Sequence, residues 1–230
     1  MNTTIKAGLA AILLFANACK KESGSNLQSS LTDDNAFNMV AGKYPSVWIG
    51  TQKWMTRNLD VTHYRNGDRI PQVNRRAVWD TITRGAWCWY NEDSTNDSVY
   101  GKLYNWYAVN DPRGLAPKGW HVPSDAEWDT LSSFLGGDAV AGGKLKETGT
   151  AHWGYPNAEA TNETGFTGLP GGSRRPSGKF VFFGVNGEFW TSTQYKAVNA
   201  WFRYLLHYNG SLSKYVDAKQ FGFSVRCIKD

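Results

Sequence analysis

Cysteine is scarce in this chain: Cys19, Cys88 and Cys227 are the only three in 230 residues. Their spacing excludes a Cys-x-x-Cys zinc or redox motif. Histidine is nearly as sparse. None of His63, His121, His152 and His207 lies within five residues of another, so no local metal-ligand spacing exists. There is no Gly-x-Ser-x-Gly elbow, phosphate-binding loop or His-Glu-x-x-His. Basic residues cluster at most in pairs, such as Arg75-Arg76 and Arg174-Arg175, and the formal charge is only +5. That pattern excludes nucleic acid as the expected partner. Leu and Ile are few beside the aromatics, and the apolar run from Ala7 to Phe15 is too short to cross ~30 Å of hydrocarbon.

What stands at the N-terminus is a short address. Lys6, the apolar run and the small residues Ala16-Asn17-Ala18 read as a secretory signal over residues 1–18. With Cys19 directly after it, the segment resembles a bacterial lipobox, which implies acylation of that cysteine. The expected partner is then a membrane, held through an N-terminal lipid anchor. The expected location is the bacterial cell envelope, on the outer membrane, facing either the periplasm or the surroundings. The alternative is a plain secreted protein with an incidental cysteine. Residues 19–45 are polar and have little to bury, so they read as a tether. One domain, 46–230, follows.

That domain is rich in flat side chains: 11 Trp, 11 Tyr and 11 Phe, with 24 Gly for turns. Buried Trp and Tyr need hydrogen-bond partners, and such a composition suits a loop-rich fold. Cys88 and Cys227 are expected to bridge in an oxidising compartment, the alternative being two buried thiols that never meet.

Local patterns place several elements. Val47-Trp48-Ile49 and Lys53-Trp54-Met55 flank a Gly50-Thr51-Gln52 turn and predict a hairpin. Asn66-Gly67 is a tight-turn signal. Trp87 to Tyr90 reads as a buried strand, and Asn91 to Ser98 as a polar loop. Tyr100, Leu103, Tyr104 and Tyr107 recur at helical spacing. A capping box, Ser124-Asp125-Ala126-Glu127, opens a helix whose apolar face is Trp128, Leu131, Phe134 and Leu135, and Gly136-Gly137 ends it. Asp125, Glu127 and Asp129 read as first-turn acids favoured by the helix dipole. Residues 142–188 read as a long irregular stretch, the kind of region where function sits. Strands are expected again at Phe189 to Ser192, Ala200 to Tyr208, Ser211 to Val216 and Phe221 to Ile228, with a turn at Asn209-Gly210.

From Val47 to Cys227 the chain carries VWIGTQKWMTRNLD, AWCWYNED, YGKLYNWYAVND, GLAPKGWHVPSDAEWDTL, AGGKLKETGTAHW, ATNETGFTGLPGGSR, FWTST and GFSVRC in order. Together these blocks resemble the Fibrobacter succinogenes major paralogous domain family of bacterial surface lipoproteins. Many members have a cysteine before the Pro-x-Gly-Trp block, where this chain has Ala116. WHVPSDAEW and GFSVRC are also similar to blocks of the formylglycine-generating enzymes. Both resemblances imply an α+β, C-type lectin-like fold: a twisted, mostly antiparallel sheet, two short helices and a long loop region on one side. The enzymes' copper-holding cysteine pair is absent here, since only Cys227 stands near the C-terminus.

The expected function is therefore non-catalytic recognition of a glycan or of an envelope or host ligand, with no cofactor and no resident metal. The calcium loops that lectins share are missing, so binding is expected to be calcium-independent. The residues expected to serve it are Trp153, Tyr155, Arg174, Arg175, Glu188, Trp201, Arg203 and His207, although most aromatics in such a domain fill its own core. Alternation puts Trp201, Arg203, Leu205 and His207 on one strand face and Phe202, Tyr204, Leu206 and Tyr208 on the other. His121 reads as a hydrogen-bonded structural residue. The alternatives are an adhesion or structural component that binds another surface protein, and a divergent oxidoreductase related to the formylglycine-generating enzymes.

Overall fold

Gly50 and Thr51 separate two short runs that pair as the pattern predicts. β1 (Ser46–Ile49) and β2 (Gln52–Met55) form an antiparallel hairpin with Ile49 opposite Gln52. Gly50 takes a φ of 62°, and a side chain there would press on the Phe134 ring, so the turn needs glycine twice over. The computed structural model describes Met1 and residues 44–230. The expected signal peptide, Cys19 and nearly all of the expected tether lie outside the described residues. Tyr44, read from sequence as tether, belongs to the core: its ring is buried and its hydroxyl donates to Asp60 at 2.6 Å.

The remaining strands are β3 (Trp87–Cys88), β4 (Leu103–Tyr104), β5 (Trp120–His121), β6 (Ser173–Arg174), β7 (Phe180–Val181), β8 (Asn186–Lys196), β9 (Asn199–Leu206), β10 (Leu212–Ala218) and β11 (Ile228–Lys229). Among the described residues they form four small sheets, ordered β1-β2-β11-β5, β10-β9-β8, β3-β4 and β6-β7. Every pairing between these strands is antiparallel. The single twisted sheet expected from sequence is thus divided. The run from Phe221 to Ile228 shows why. It bridges three different partners in turn, Gly222 to Arg174, Phe223 to Tyr104 and Ser224 to Phe189, before β11 begins. It stitches sheets together instead of extending one.

Five α-helices accompany the strands among the described residues: α1 (Arg76–Thr81), α2 (Asp97–Tyr100), α3 (Trp106–Val109), α4 (Asp125–Phe134) and α5 (Asp138–Leu145). In α4 the capping box is complete: Ser124 Oγ accepts from the Glu127 N–H, and the Ser124 N–H donates to Glu127. Trp128, Leu131 and Leu135 are buried, whereas Phe134 is 63% exposed and lies over Gly50. Gly136, at a φ of 101°, ends the helix. The helical spacing at Tyr100–Tyr107 misleads. Leu103 and Tyr104 pair with Cys88 and Trp87 as β4, and only a single turn, α3, follows. The second sizeable helix is α5, at the start of the stretch expected to be irregular.

Three apolar clusters fill the interior. One gathers Trp87, Tyr104, Trp106, Trp120, Trp190, Phe223 and Cys227. A second holds Trp54, Trp128, Trp153, Phe166 and Phe189. The third holds Trp79, Cys88 and Leu103. The expected disulfide does not form: Cys88 and Cys227 are both free and buried. Each thiol belongs to a different cluster.

Candidate functional site

Buried cations organise the irregular region. Lys146 Nζ donates to the carbonyls of Ala158, Leu206 and Asn209 at 2.7–2.9 Å. Burial pushes its amine down to about 8. Arg174 donates to the carbonyls of Val73 and Asn74 at 2.6 Å, with its guanidinium over the Trp79 and Phe180 rings. Arg203 grips the first turn of α4, with Asp125 accepting from Nε at 3.0 Å and Asp129 from Nη2 at 2.6 Å. Lys214, opposite Arg203 in the β9–β10 ladder, reaches Asp125 at 2.6 Å. Asp125 and Asp129 therefore anchor a strand to a helix, which is more than favouring the dipole.

Four of the eight residues proposed from sequence are accordingly scaffold. Arg174 and Arg203 are fully buried in these networks. Trp153 is a core residue whose indole donates to the Gly168 carbonyl at 3.0 Å. Glu188 is buried and accepts from Asn186 at 3.1 Å, and its desolvation raises the carboxyl above the usual range. Trp201 is half-buried, covered by Tyr195 at 5.1 Å and by Lys214 at 4.8 Å.

Tyr155, Arg175 and His207 do lie at the surface. Tyr155 is 87% exposed. Its backbone is fixed: the His207 imidazole Nδ1 donates to the Tyr155 carbonyl at 3.1 Å, and the Gly154 N–H donates to Gly184 at 2.6 Å. Buried Trp153 is the peg from which this loop projects. Exposed Tyr208 packs edge-on against His207 at 5.4 Å. Arg175 lies over the exposed Phe182 ring at 5.7 Å.

Beside this loop runs a chain of ring contacts that the sequence reading missed. Tyr90 stacks on Phe183 at 4.5 Å and packs on Phe180 at 5.2 Å. Tyr100 meets Phe183 at 4.8 Å and His152 at 5.7 Å. His152 is held by Glu147 at 2.8 Å. Phe183 is exposed and the other four rings are half-buried. Burial raises the pKa of both Tyr90 and Tyr100, and the Glu147 charge adds to it for Tyr100, so these hydroxyls keep their protons and can donate. The result is an aromatic ledge, rigid beneath and wet above. The one sequence signal for it was the aromatic run Phe180-Val181-Phe182-Phe183 between two turns. Among the described residues no group of three His, Cys, Asp or Glu is placed to hold a metal ion.

A family model described as the Fibrobacter succinogenes major domain matches residues 47–229, well over half of the chain. The chain belongs to that family. No curated protein and no solved structure matches it. Set on this structure, the blocks of the family resemblance are mostly scaffold. PSDAEW caps α4, AGGK forms α5, and GFSVRC carries the stitching run and Arg226. The exposed residues of the ledge and of the Tyr155 loop fall mainly between or at the ends of those blocks.

Proposed function

We propose that this Fibrobacter succinogenes major domain is a non-catalytic recognition module of C-type lectin-like ancestry. It is carried on the bacterial envelope by a lipid at Cys19, and it binds a glycan along the aromatic ledge. The observation behind this reading is the continuous run of partly exposed rings from Phe180 through Tyr90, Phe183 and Tyr100 to His152, beside the exposed Tyr155. Contiguous exposed apolar surface of this kind marks interaction sites. Flat rings bordered by phenol and imidazole groups suit the apolar faces and hydroxyls of sugar rings. The separation of Cys88 and Cys227 into different clusters weighs against the related copper-dependent oxidoreductase, which needs two neighbouring thiols.

A glycan array followed by calorimetry on the purified protein tests the proposal. Saturable, sugar-competable binding is expected, weakened at least about tenfold by Phe183→Ala and by Tyr155→Ala with unchanged melting temperature. Capture of another surface protein with no sugar signal would instead support the adhesion role.

A further inference from the structure

The β10-β9-β8 sheet ends in an open edge. β10 pairs with β9 without a bulge, from Leu212 opposite Leu205 to Ala218 opposite Asn199. Every second residue of such a strand turns its N–H and C=O away from the ladder. Beyond β9, residues 213–217 make no backbone hydrogen bond and no β-bridge among the described residues. The other edge of the same sheet is occupied. Along β8 the Gly172 N–H donates to Asn186, the Ser224 N–H to Glu188 and the Trp190 N–H to Ser224.

Proteins protect a free edge with a short strand, a proline, a bulge or outward charge. β10 has 7 residues and contains no proline. Its one lysine is turned to α4, with Lys214 Nζ 2.6 Å from Asp125. Asp217 is the remaining charge, and it is half-buried. Helix α5 meets the chain just before the strand, at Gly210 and Ser211. Tyr215, at the middle of β10, is 62% exposed.

The strand is complementary to itself. In antiparallel pairing about a two-fold axis at Tyr215, Tyr215 meets Tyr215 of a second copy, Ser213 meets Asp217, and Lys214 meets Val216. Each pair projects from one face of the joined sheet, and no like charges stand opposite one another. Within the chain the Ser213 hydroxyl makes no hydrogen bond among the described residues, and Asp217 accepts only from the Ala218 N–H, at 2.8 Å. Across the axis that hydroxyl can donate to that carboxylate.

We infer that the chain forms a symmetric dimer through two β10 edges, joining two three-stranded sheets into one ordered β8-β9-β10-β10-β9-β8. The contact is isologous, so it closes at two copies and leaves no free β10 edge for growth. It does not depend on the ledge.

Sedimentation equilibrium of the purified protein tests the inference. The mass should approach that of two chains as concentration rises. Tyr215→Lys sets two ammonium groups at the axis and should weaken the dimer at least about tenfold. Tyr215→Glu should do the same, and mixing the two variants should restore a dimer of at least parental strength. The altered side chain is exposed, and melting curves check that each variant folds. Under air oxidation Tyr215→Cys should link two chains by a disulfide, and Tyr195→Cys, at another exposed tyrosine, should not. The inference is overturned if the parent stays monomeric at every concentration, if Tyr215→Lys dimerises as well as the parent, or if the mixed charge variants stay apart. It is also overturned if Tyr215→Cys cross-links no faster than Tyr195→Cys.

Discussion

Asn58 Oδ1 accepts two hydrogen bonds from the Arg226 side chain, from Nε at 3.0 Å and from Nη2 at 2.8 Å. Arg226 is fully buried, and its remaining bonds go to the carbonyls of Met55, Phe166 and Thr167, with the Phe166 ring 4.3 Å away. A guanidinium here works as a five-pronged donor that ties the end of β2 to the 166–167 loop. Asn58→Ala would strand two charged donors in the core. Such orphaning costs about 1–3 kcal/mol for a neutral group and more for a charged one. Urea unfolding should therefore show a loss of at least about 2 kcal/mol. Arg226→Lys should be no better, because an ammonium cannot reproduce the fork.

The thiols give a second check. Burial pushes Cys88 and Cys227 each up to about 12. Neither should react with a thiol reagent in the folded protein at neutral pH, and both should react once it is unfolded in denaturant. Reductant should leave the melting temperature where it was. A reductant-dependent drop, or a mass two hydrogens lighter than the dithiol, would restore the bridge.

What the sequence disclosed follows interaction range. The capping box joins residues three apart and the β1–β2 turn closes within two, so both were legible. The spacing of Tyr100, Leu103, Tyr104 and Tyr107 failed because a two-residue strand followed by one helical turn mimics a helical face. Trp153 and Tyr155 are two positions apart, yet one is a peg and the other a probe. Nothing local separates them, since the difference lies in contacts with Gly168 and His207. Arg226 depends on a partner 168 residues away. The ledge was hidden for the same reason: its rings come from residues 90–100, 152 and 180–183, and only the folded chain brings them together.

His121 supplies a pH dependence. Burial works to lower its pKa, but the hydrogen bonds to Glu127 and Asp230, with their charges, outweigh it and raise the value above the ordinary imidazole. For Glu127, burial is likewise outweighed by hydrogen bonds from Ser124 and His121, so it stays ionised in this window. A folded state that holds the proton more tightly than the unfolded chain is stabilised fully below the unfolded value, about 6.5. That stabilisation is lost as pH climbs through the raised folded value. Melting temperature should fall from mildly acidic to mildly alkaline pH, and His121→Gln should flatten the decline. An unchanged slope in the variant would remove His121 as its source.

The Gly142-Gly143 pair that disguised α5 is itself the strongest packing constraint on that helix. A Cβ on Gly142 would lie 2.1 Å from the Ser211 carbonyl oxygen, and one on Gly143 would lie 2.4 Å from that of Glu159. The backbones meet here: the Gly143 N–H donates to Gly210 at 2.8 Å, and Thr161 donates back to Gly143 at 2.9 Å. Helix propensity alone favours alanine over glycine by about 1 kcal/mol. The opposing clash is with backbone, which cannot swing aside as a side chain would, and overpacking of this kind costs about 1–3 kcal/mol or more. Gly142→Ala should therefore destabilise the domain despite its better intrinsic helicity. A chemical denaturation midpoint at or above the parent's would mean that the 210–211 turn yields, and that the contact between α5 and β10 is looser than the geometry requires.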